Sequence, residues 1–208
     1  MKIIPENNSE VLALACKFLR EGKVISFATD TVYGIAVDAT NESAVELLYS
    51  LKKRDAKKPI AIFVKDIETA ENIFYFDDLA KKIATKFFPR SLTLVLKQKP
   101  ESITEIAKNL NSDAQNFLGF RIVECDFVKK LMSEFDGILA VTSANLAGEE
   151  AAISAKEVEK YFANSNLDLI IDGGILEQKN ISTVVKIVDQ KIEILRHGVI
   201  KESLIKSI

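Results

Sequence analysis

Two cysteines, one histidine and no long apolar run in 208 residues exclude several classes of protein at once. Cys16 and Cys125 lie far apart in the chain with no C-x-x-C spacing, so neither a disulfide framework nor a zinc site is indicated. Both read as plain thiols, Cys16 on a predicted helix and Cys125 on a predicted strand-to-helix loop. His197 is the only histidine, which rules out a multi-histidine metal centre and makes any Ser-His catalytic system depend on that residue. No apolar stretch approaches the ~20 residues that cross a bilayer, and Met1-Lys2-Ile3-Ile4-Pro5 leads into polar sequence rather than a signal-peptide core. A cytoplasmic protein without membrane contact is expected. Internal repeats, low-complexity tracts and linkers are also missing, and the length suits one domain over residues 1–208.

What is present is an ordinary globular composition, 48% hydrophobic and 28% charged, with a formal net charge of −2. Against that near-neutral total, the stretch Lys52 to Pro59, K-K-R-D-A-K-K-P, holds five cations and the single acid Asp55. Such a local excess suggests an anionic ligand, although a charge run can equally be a solvated turn. It falls at a junction between the predicted helix Glu42 to Leu51 and the apolar run Ile60 to Val64, where loops present side chains to ligands.

The rest of the chain alternates helix and strand patterns. Apolar residues at helical spacing predict a helix over Ser9 to Arg20, with Ser9 as its cap and Gly22 as its stop. Lys23 to Phe27 reads as a strand, and Thr29-Asp30-Thr31 interrupts it before Ile35-Ala36-Val37, either as self-bonded turns or as ligand groups. Asn41 caps the next helix; further helices are expected near Ile67 to Ile73 and over Asp77 to Phe88, where Pro89 ends the pattern. Ser91 to Leu96 and Phe117 to Val123 read as strands, with the polar, irregular segment Glu101 to Gln115 between them as a candidate mobile excursion. Arg121, inside the second of these strands, either snorkels at an edge or meets a buried anion.

Phe127 to Phe135 is predicted helical. Gly137 to Val141 is a strand ending in Thr142-Ser143-Ala144-Asn145, and hydroxyls and an amide at a strand's carboxyl end suit a ligand site in an open α/β sheet. A helix over Ala155 to Phe162 and a strand over Leu167 to Ile171 follow. Ser182 to Val188 pairs with Ile192 to Leu195 across Asp189-Gln190 as a hairpin, and a short terminal helix closes the chain.

The ordered fragments T-D-T-V-Y-G, K-K-R-x-x-x-K-P, F-F-P-x-S-L-T-L-V-L, an arginine on a strand, T-S-A-N-x-x-G, I-D-G-G, S-T-V-V and L-R-x-G resemble the YrdC-like threonylcarbamoyl-AMP synthases from about Lys23 to Gly198. The chain looks like the single-domain form of that family. The resemblance implies a twisted, mixed open α/β sheet with flanking helices and a concave basic ligand face. It also implies an enzyme that joins L-threonine, bicarbonate and ATP into threonylcarbamoyl-AMP, releasing pyrophosphate. That product feeds N6-threonylcarbamoyladenosine formation at position 37 of ANN-decoding tRNAs, through partner transfer proteins.

Residue by residue, the resemblance gives Lys52, Arg54 and Lys58 the triphosphate and the departing pyrophosphate, a task of charge neutralisation. It gives Thr31, Arg121 and Ser182 the threonine, with the arginine suited to its carboxylate. Ser143 and Asn145 fall between the substrates, and Arg196 on the nucleotide. Lys52, Arg54 and Ser143 are the residues closest to the chemistry, no proton acceptor stands out, and catalysis is expected to be positioning and charge neutralisation. Magnesium is expected on the nucleotide with few or no protein ligands, Asp30 being a candidate outer-shell group.

Phe63 occupies a position where many members have histidine. Arg90-Ser91 replaces a common Gly-Pro, Ala28 a common proline, and Lys186 stands where an aspartate would follow S-T-V-V. These departures bear on the threonine pocket more than on the reaction. A module binding RNA phosphates through the same basic surface is the alternative from another class, disfavoured by the near-neutral charge. A paralogue of the same fold acting on a carbamoylated substrate is a second alternative.

Overall fold

The computed structural model describes residues 1–53, 55, 58–100, 102, 105–110, 116–177 and 181–208. Alternation of helix and strand patterns gives one ten-stranded mixed sheet. In chain order its strands are β1 (Lys2–Pro5), β2 (Ile25–Ala28), β3 (Tyr33–Asp38), β4 (Ala61–Phe63), β5 (Leu92–Lys97), β6 (Phe117–Arg121), β7 (Leu139–Ser143), β8 (Leu169–Asp172), β9 (Thr183–Val188) and β10 (Lys191–Arg196). Across the sheet they run β1-β8-β2-β3-β7-β4-β6-β5-β9-β10. The helices are α1 (Val11–Arg20), α2 (Glu42–Lys52), α3 (Ile67–Ile73), α4 (Asp78–Phe87), α5 (Asp126–Phe135), α6 (Ala155–Phe162) and α7 (Glu202–Ile205).

Local chemistry explains most boundaries. The Asn41 side chain accepts the Ala44 N–H at 3.1 Å, as a cap of α2 should. Asp66 and Asp77 cap α3 and α4 in the same way. The β9–β10 hairpin turns on Asp189 and Gln190, both at positive φ (50° and 58°), which a two-residue turn matched to strand twist requires. Ser9 does not cap α1: the residue before its first turn is Glu10, whose N–H is taken by Asn8 Oδ1 at 2.8 Å. Strand β1 has no counterpart in the sequence reading, because four residues ending in proline at a sheet edge give too short a pattern. Of the irregular segment 101–115, residues 101, 103, 104 and 111–115 lie outside the described residues; Lys108–Leu110 forms a 3₁₀ turn.

Period-two alternation sorts the side chains onto two faces. One face carries Ile35, Val37, Leu92, Leu94, Leu118, Phe120 and Val185, and α2, α3, α4 and α6 cover it as the larger core. The opposite face is covered along β8, β2, β3 and β7, with Phe63 of β4 at the margin, where α1 and α5 bury Leu19, Phe27, Phe127, Leu131 and Leu139. Along β4, β6, β5 and β9 this second face opens into a cavity. None of the described helices is long and apolar enough to cross a membrane.

Candidate functional site

The floor of the cavity is made by what alternates with the core residues. β5 sends Leu92, Leu94 and Leu96 to the core and Thr93 and Val95 to the cavity; β6 sends Leu118 and Phe120 inward and Phe117, Gly119 and Arg121 outward. β9 does the same with Val185 against Val184 and Lys186. Small residues keep the floor low: a Cβ on Gly119 would come within 3.0 Å of Thr93 Cγ2. The space is about 460 Å³, within the range of small-ligand sites. Among the described residues lining it, Arg121, Lys186 and Arg196 are cationic and none is a carboxylate.

Arg121 is 7% exposed, so it meets a buried anion rather than snorkelling at an edge. Its Nη2 donates to Asp30 Oδ1 at 2.7 Å and Oδ2 at 2.9 Å, and the guanidinium lies 5.4 Å from the centre of the Phe63 ring. Burial pulls its pKa below the ordinary value, opposed by the adjacent Asp30 charge. Ser91 Oγ donates to Asp30 Oδ2 at 3.0 Å, a bond that a proline at that position could not make. Both Asp30 oxygens are thereby engaged by protein donors. Arg121 Nε is buried and finds no acceptor among the described residues, a cost of roughly 1–3 kcal/mol unless a ligand meets it.

Thr31 lies beside this pair in the β2–β3 turn. The Thr29 hydroxyl donates to Val32 O at 2.7 Å, so the 3.0 Å contact between Thr29 Oγ1 and Thr31 Oγ1 has Thr31 as donor. Thr31 Oγ1 then accepts from Arg121 Nη1, at 3.4 Å, and keeps acceptor capacity on the cavity side. The turn itself is tied to the I-D-G-G segment: Tyr33 Oη donates to Gly174 O at 2.7 Å and accepts the Gly173 N–H at 3.0 Å. Burial, reinforced by Asp172, raises the Tyr33 pKa well above its ordinary value and keeps the phenol a donor.

At the opposite wall Ser182 Oγ contacts Thr93 Oγ1 at 2.8 Å and accepts from Arg196 Nη2 at 2.8 Å, while Arg196 Nε donates to Ser182 O at 3.0 Å. Gly198 makes this possible. A Cβ there would run into the Ile181 carbonyl and the Ser182–Thr183 backbone, so only glycine lets the end of L-R-x-G lie against S-T-V-V.

Ser143 ends β7 on the cavity wall, and its hydroxyl donates to Asn145 Oδ1 at 2.6 Å. The same oxygen accepts from Lys52 Nζ at 2.7 Å, and Lys52 also donates to Ser143 O at 2.6 Å. Lys52 is 3% exposed and is not among the lining residues, so the first cation of the basic stretch buttresses the T-S-A-N loop from behind. Lys58 is exposed beside Pro59, which lines the cavity; Arg54 lies outside the described residues.

Thr31, Arg121, Ser143, Ser182 and Arg196 thus meet at one cavity, with Lys52 and Asn145 bonded behind its wall. Sequence reasoning missed Thr93 and the pairing of Asp30 with Arg121; it named Ser91 and Lys186 as departures bearing on the threonine pocket, without their partners. The alternation of small or polar residues with Leu, Ile and Phe in β5, β6 and β9 was the available signal for most of them. The expectation of a site at strand carboxyl ends holds for Ser143 only in part, since the floor is the sheet face where no helix covers it.

The Sua5/YciO/YrdC family model, described as telomere recombination, matches residues 17–198. A Methanocaldococcus jannaschii protein provisionally named threonylcarbamoyl-AMP synthase is 37% identical over 195 residues, covering 94% of this chain and 89% of that protein. The Pyrococcus abyssi threonylcarbamoyl-AMP synthase is 31% identical across 90% of this chain, which spans only 54% of that longer protein. The structure of Pyrococcus abyssi Sua5 complexed with L-threonine superposes with a TM-score of 0.89 at 29% identity, over 100% of this chain and 60% of that one. Escherichia coli YciO shares the fold, with a TM-score of 0.84 at 22% identity over 95% of this chain and 96% of that one. Matched along nearly its whole length by sequence and by structure, this chain belongs to the Sua5/YciO/YrdC family.

Proposed function

We propose that this protein is an L-threonylcarbamoyladenylate synthase, a nucleotidyltransferase that condenses L-threonine, bicarbonate and ATP. One observation carries the reading beyond family membership. Residues from separate segments of the chain converge on a cavity whose described walls hold three cations and no carboxylate, in a protein of net charge −2. Such a site favours anionic ligands and supplies no side chain suited to act as a nucleophile.

In this reading the threonine carboxylate meets the Arg121 Nε–H, which finds no acceptor among the described residues. Thr31 Oγ1, oriented as an acceptor, takes an N–H of the amine, and Ser182 faces the rest of the amino acid. The amine adds to bicarbonate with loss of water, giving a carbamate. A carbamate oxygen then attacks the α-phosphorus of ATP, the bond to the β-phosphate oxygen breaks, and pyrophosphate leaves. Ser143 lies between the substrates, with Lys52 and Asn145 holding its loop; Arg54, Lys58 and Arg196 neutralise or orient the nucleotide. Magnesium arrives on the phosphates and needs no ligand from Asp30. The adenylate passes to proteins that modify adenosine 37 of ANN-decoding tRNAs in the cytoplasm. Cations turned into a cavity fit a nucleotide better than an extended RNA backbone.

The test is incubation with ATP, magnesium, labelled bicarbonate and threonine. Pyrophosphate release should require threonine and bicarbonate together and yield a labelled, short-lived adenylate. Equal release without bicarbonate would mean amino-acid adenylation or plain ATP hydrolysis instead.

A further inference from the structure

Among the described residues three cations line the cavity, and they are differently placed to meet a ligand. Arg121 is neutralised by Asp30, and Arg196 donates to Ser182. Lys186 is held otherwise: its Nζ lies 4.0 Å from the centre of the Phe117 ring, and Phe117 is itself a lining residue. Glu193 stands opposite it in the β9–β10 ladder, but no carboxylate among the described residues forms an ion pair with it.

The register fixes its place. Gly119, Val95 and Lys186 form one row across β6, β5 and β9, and Arg121 stands two residues further along β6. With a rise of about 3.3 Å per residue and strands about 4.8 Å apart, the Cα atoms of Lys186 and Arg121 are roughly 12 Å apart. Both side chains rise from the same face of the sheet, so a ligand that meets Arg121 with its threonine carboxylate can extend its phosphates toward Lys186. Phe117 is on β6, which lies in the sheet between β4, preceded by Pro59 and the basic stretch, and β9, which carries Lys186. A polyphosphate crossing the Phe117 ring would therefore be flanked by Lys58 from the β4 side and by Lys186 from the β9 side.

We propose that Lys186 is a further nucleotide-binding residue, a point charge that leaves the Phe117 ring to meet the β- and γ-phosphates of ATP. This rests on the ATP-dependent reading of the site. A lysine suits the role because its compact ammonium pairs with phosphate from any direction, and the weak ring contact costs little to exchange.

Lys186→Met keeps the stem over Phe117 and removes the charge, Lys186→Asp reverses it, and Lys186→Arg restores it. Calorimetric titration with magnesium-ATP in the absence of threonine should show affinity about tenfold weaker for the methionine variant. The loss should be greater for the aspartate variant and within about threefold of wild type for the arginine variant. Adenosine affinity and threonine KM should stay within twofold. A folded Lys186→Met protein with wild-type ATP affinity overturns the inference, as does an equal loss for adenosine, which would mark a purine contact. Because binding is read without turnover, the two proposals fail separately. A wild type that binds ATP but makes no adenylate sinks the synthase reading alone.

Discussion

Along β8, β2, β3 and β7 one face of the sheet carries Ile25, Phe27, Ala36, Leu139, Leu169 and Ile171 beneath α1 and α5. Along β4, β6, β5 and β9 the same face carries Ala61, Gly119, Thr93, Val95 and Ser182 around a cavity. The backbone is continuous between the two halves, so the difference lies in the side chains and in where helices land. Large apolar residues in the first half give two amphipathic helices a surface to bury, while small and hydroxylated ones in the second give a helix little to pack on. The covered half contributes stability and the open half leaves polar groups for a ligand. Arg121, at the end of β6 in the open half, pairs with Asp30, which follows β2 of the covered half, and so bridges the two.

That bridging position makes Arg121→Met the largest expected change. Removing one partner of a buried pair costs about 3–5 kcal/mol because Asp30 would remain buried with only Ser91 for company. Threonine KM should also rise at least ~30-fold, the low end of roughly 2–5 kcal/mol for a lost charged contact. The double variant Arg121→Met with Asp30→Asn separates the two effects. It should recover most of the melting temperature and none of the threonine affinity. Recovery of both would make the pair purely structural and erase the boundary drawn here.

Leu19→Ala tests the covered half alone. Leu19 is fully buried between α1 and the sheet, and its truncation should cost about 2–5 kcal/mol, read by denaturant melts. At a temperature where the variant is fully folded, KM values for threonine and ATP should match wild type. A tenfold change in either would show that the covered half shapes the cavity and that the comparison divides what the molecule couples.

The covered half was the easier to read from sequence, and for a physical reason. Helical spacing in residues 11–20 and 126–135 is a signal repeated over several turns; outside that half the Asn41 cap and the Asp189-Gln190 turn were legible too, because they act through neighbours in the chain. Strand β1 gave no such signal, being short, terminal and closed by Pro5. In the open half the residue types were visible but their partners were not. Arg121 stood out as a charge within an apolar strand, yet whether it faced water or an anion depended on Asp30, 91 positions away. Lys52 stood out as part of a charge run, and only tertiary contacts show it buried against Ser143 and Asn145. The motifs carried the site as a resemblance; the long-range hydrogen bonds that arrange it are not written in local pattern.

The smallest expected change in stability comes from Thr93→Val, which alters the open half without altering its shape. Thr93 is 6% exposed on the cavity floor, and its hydroxyl contacts Ser182 Oγ at 2.8 Å. Valine keeps the volume and removes one hydrogen bond, a loss of about 0.5–1.5 kcal/mol. At about 2–4 °C per kcal/mol for a chain of this size, the melting temperature should fall by only a few degrees. The effect on function should be larger than that, because Ser182 also accepts from Arg196 and so links the threonine side of the cavity to the nucleotide side. With its other partner gone, the serine hydroxyl keeps accepting from Arg196 and is free to turn its hydrogen toward the ligand. Threonine KM should rise several-fold, with a smaller change for ATP. A Thr93→Val protein that melts a few degrees lower and keeps both KM values would place the Thr93–Ser182 contact with the packing of the sheet, as in the covered half. A shift in threonine KM alone would place it in the site.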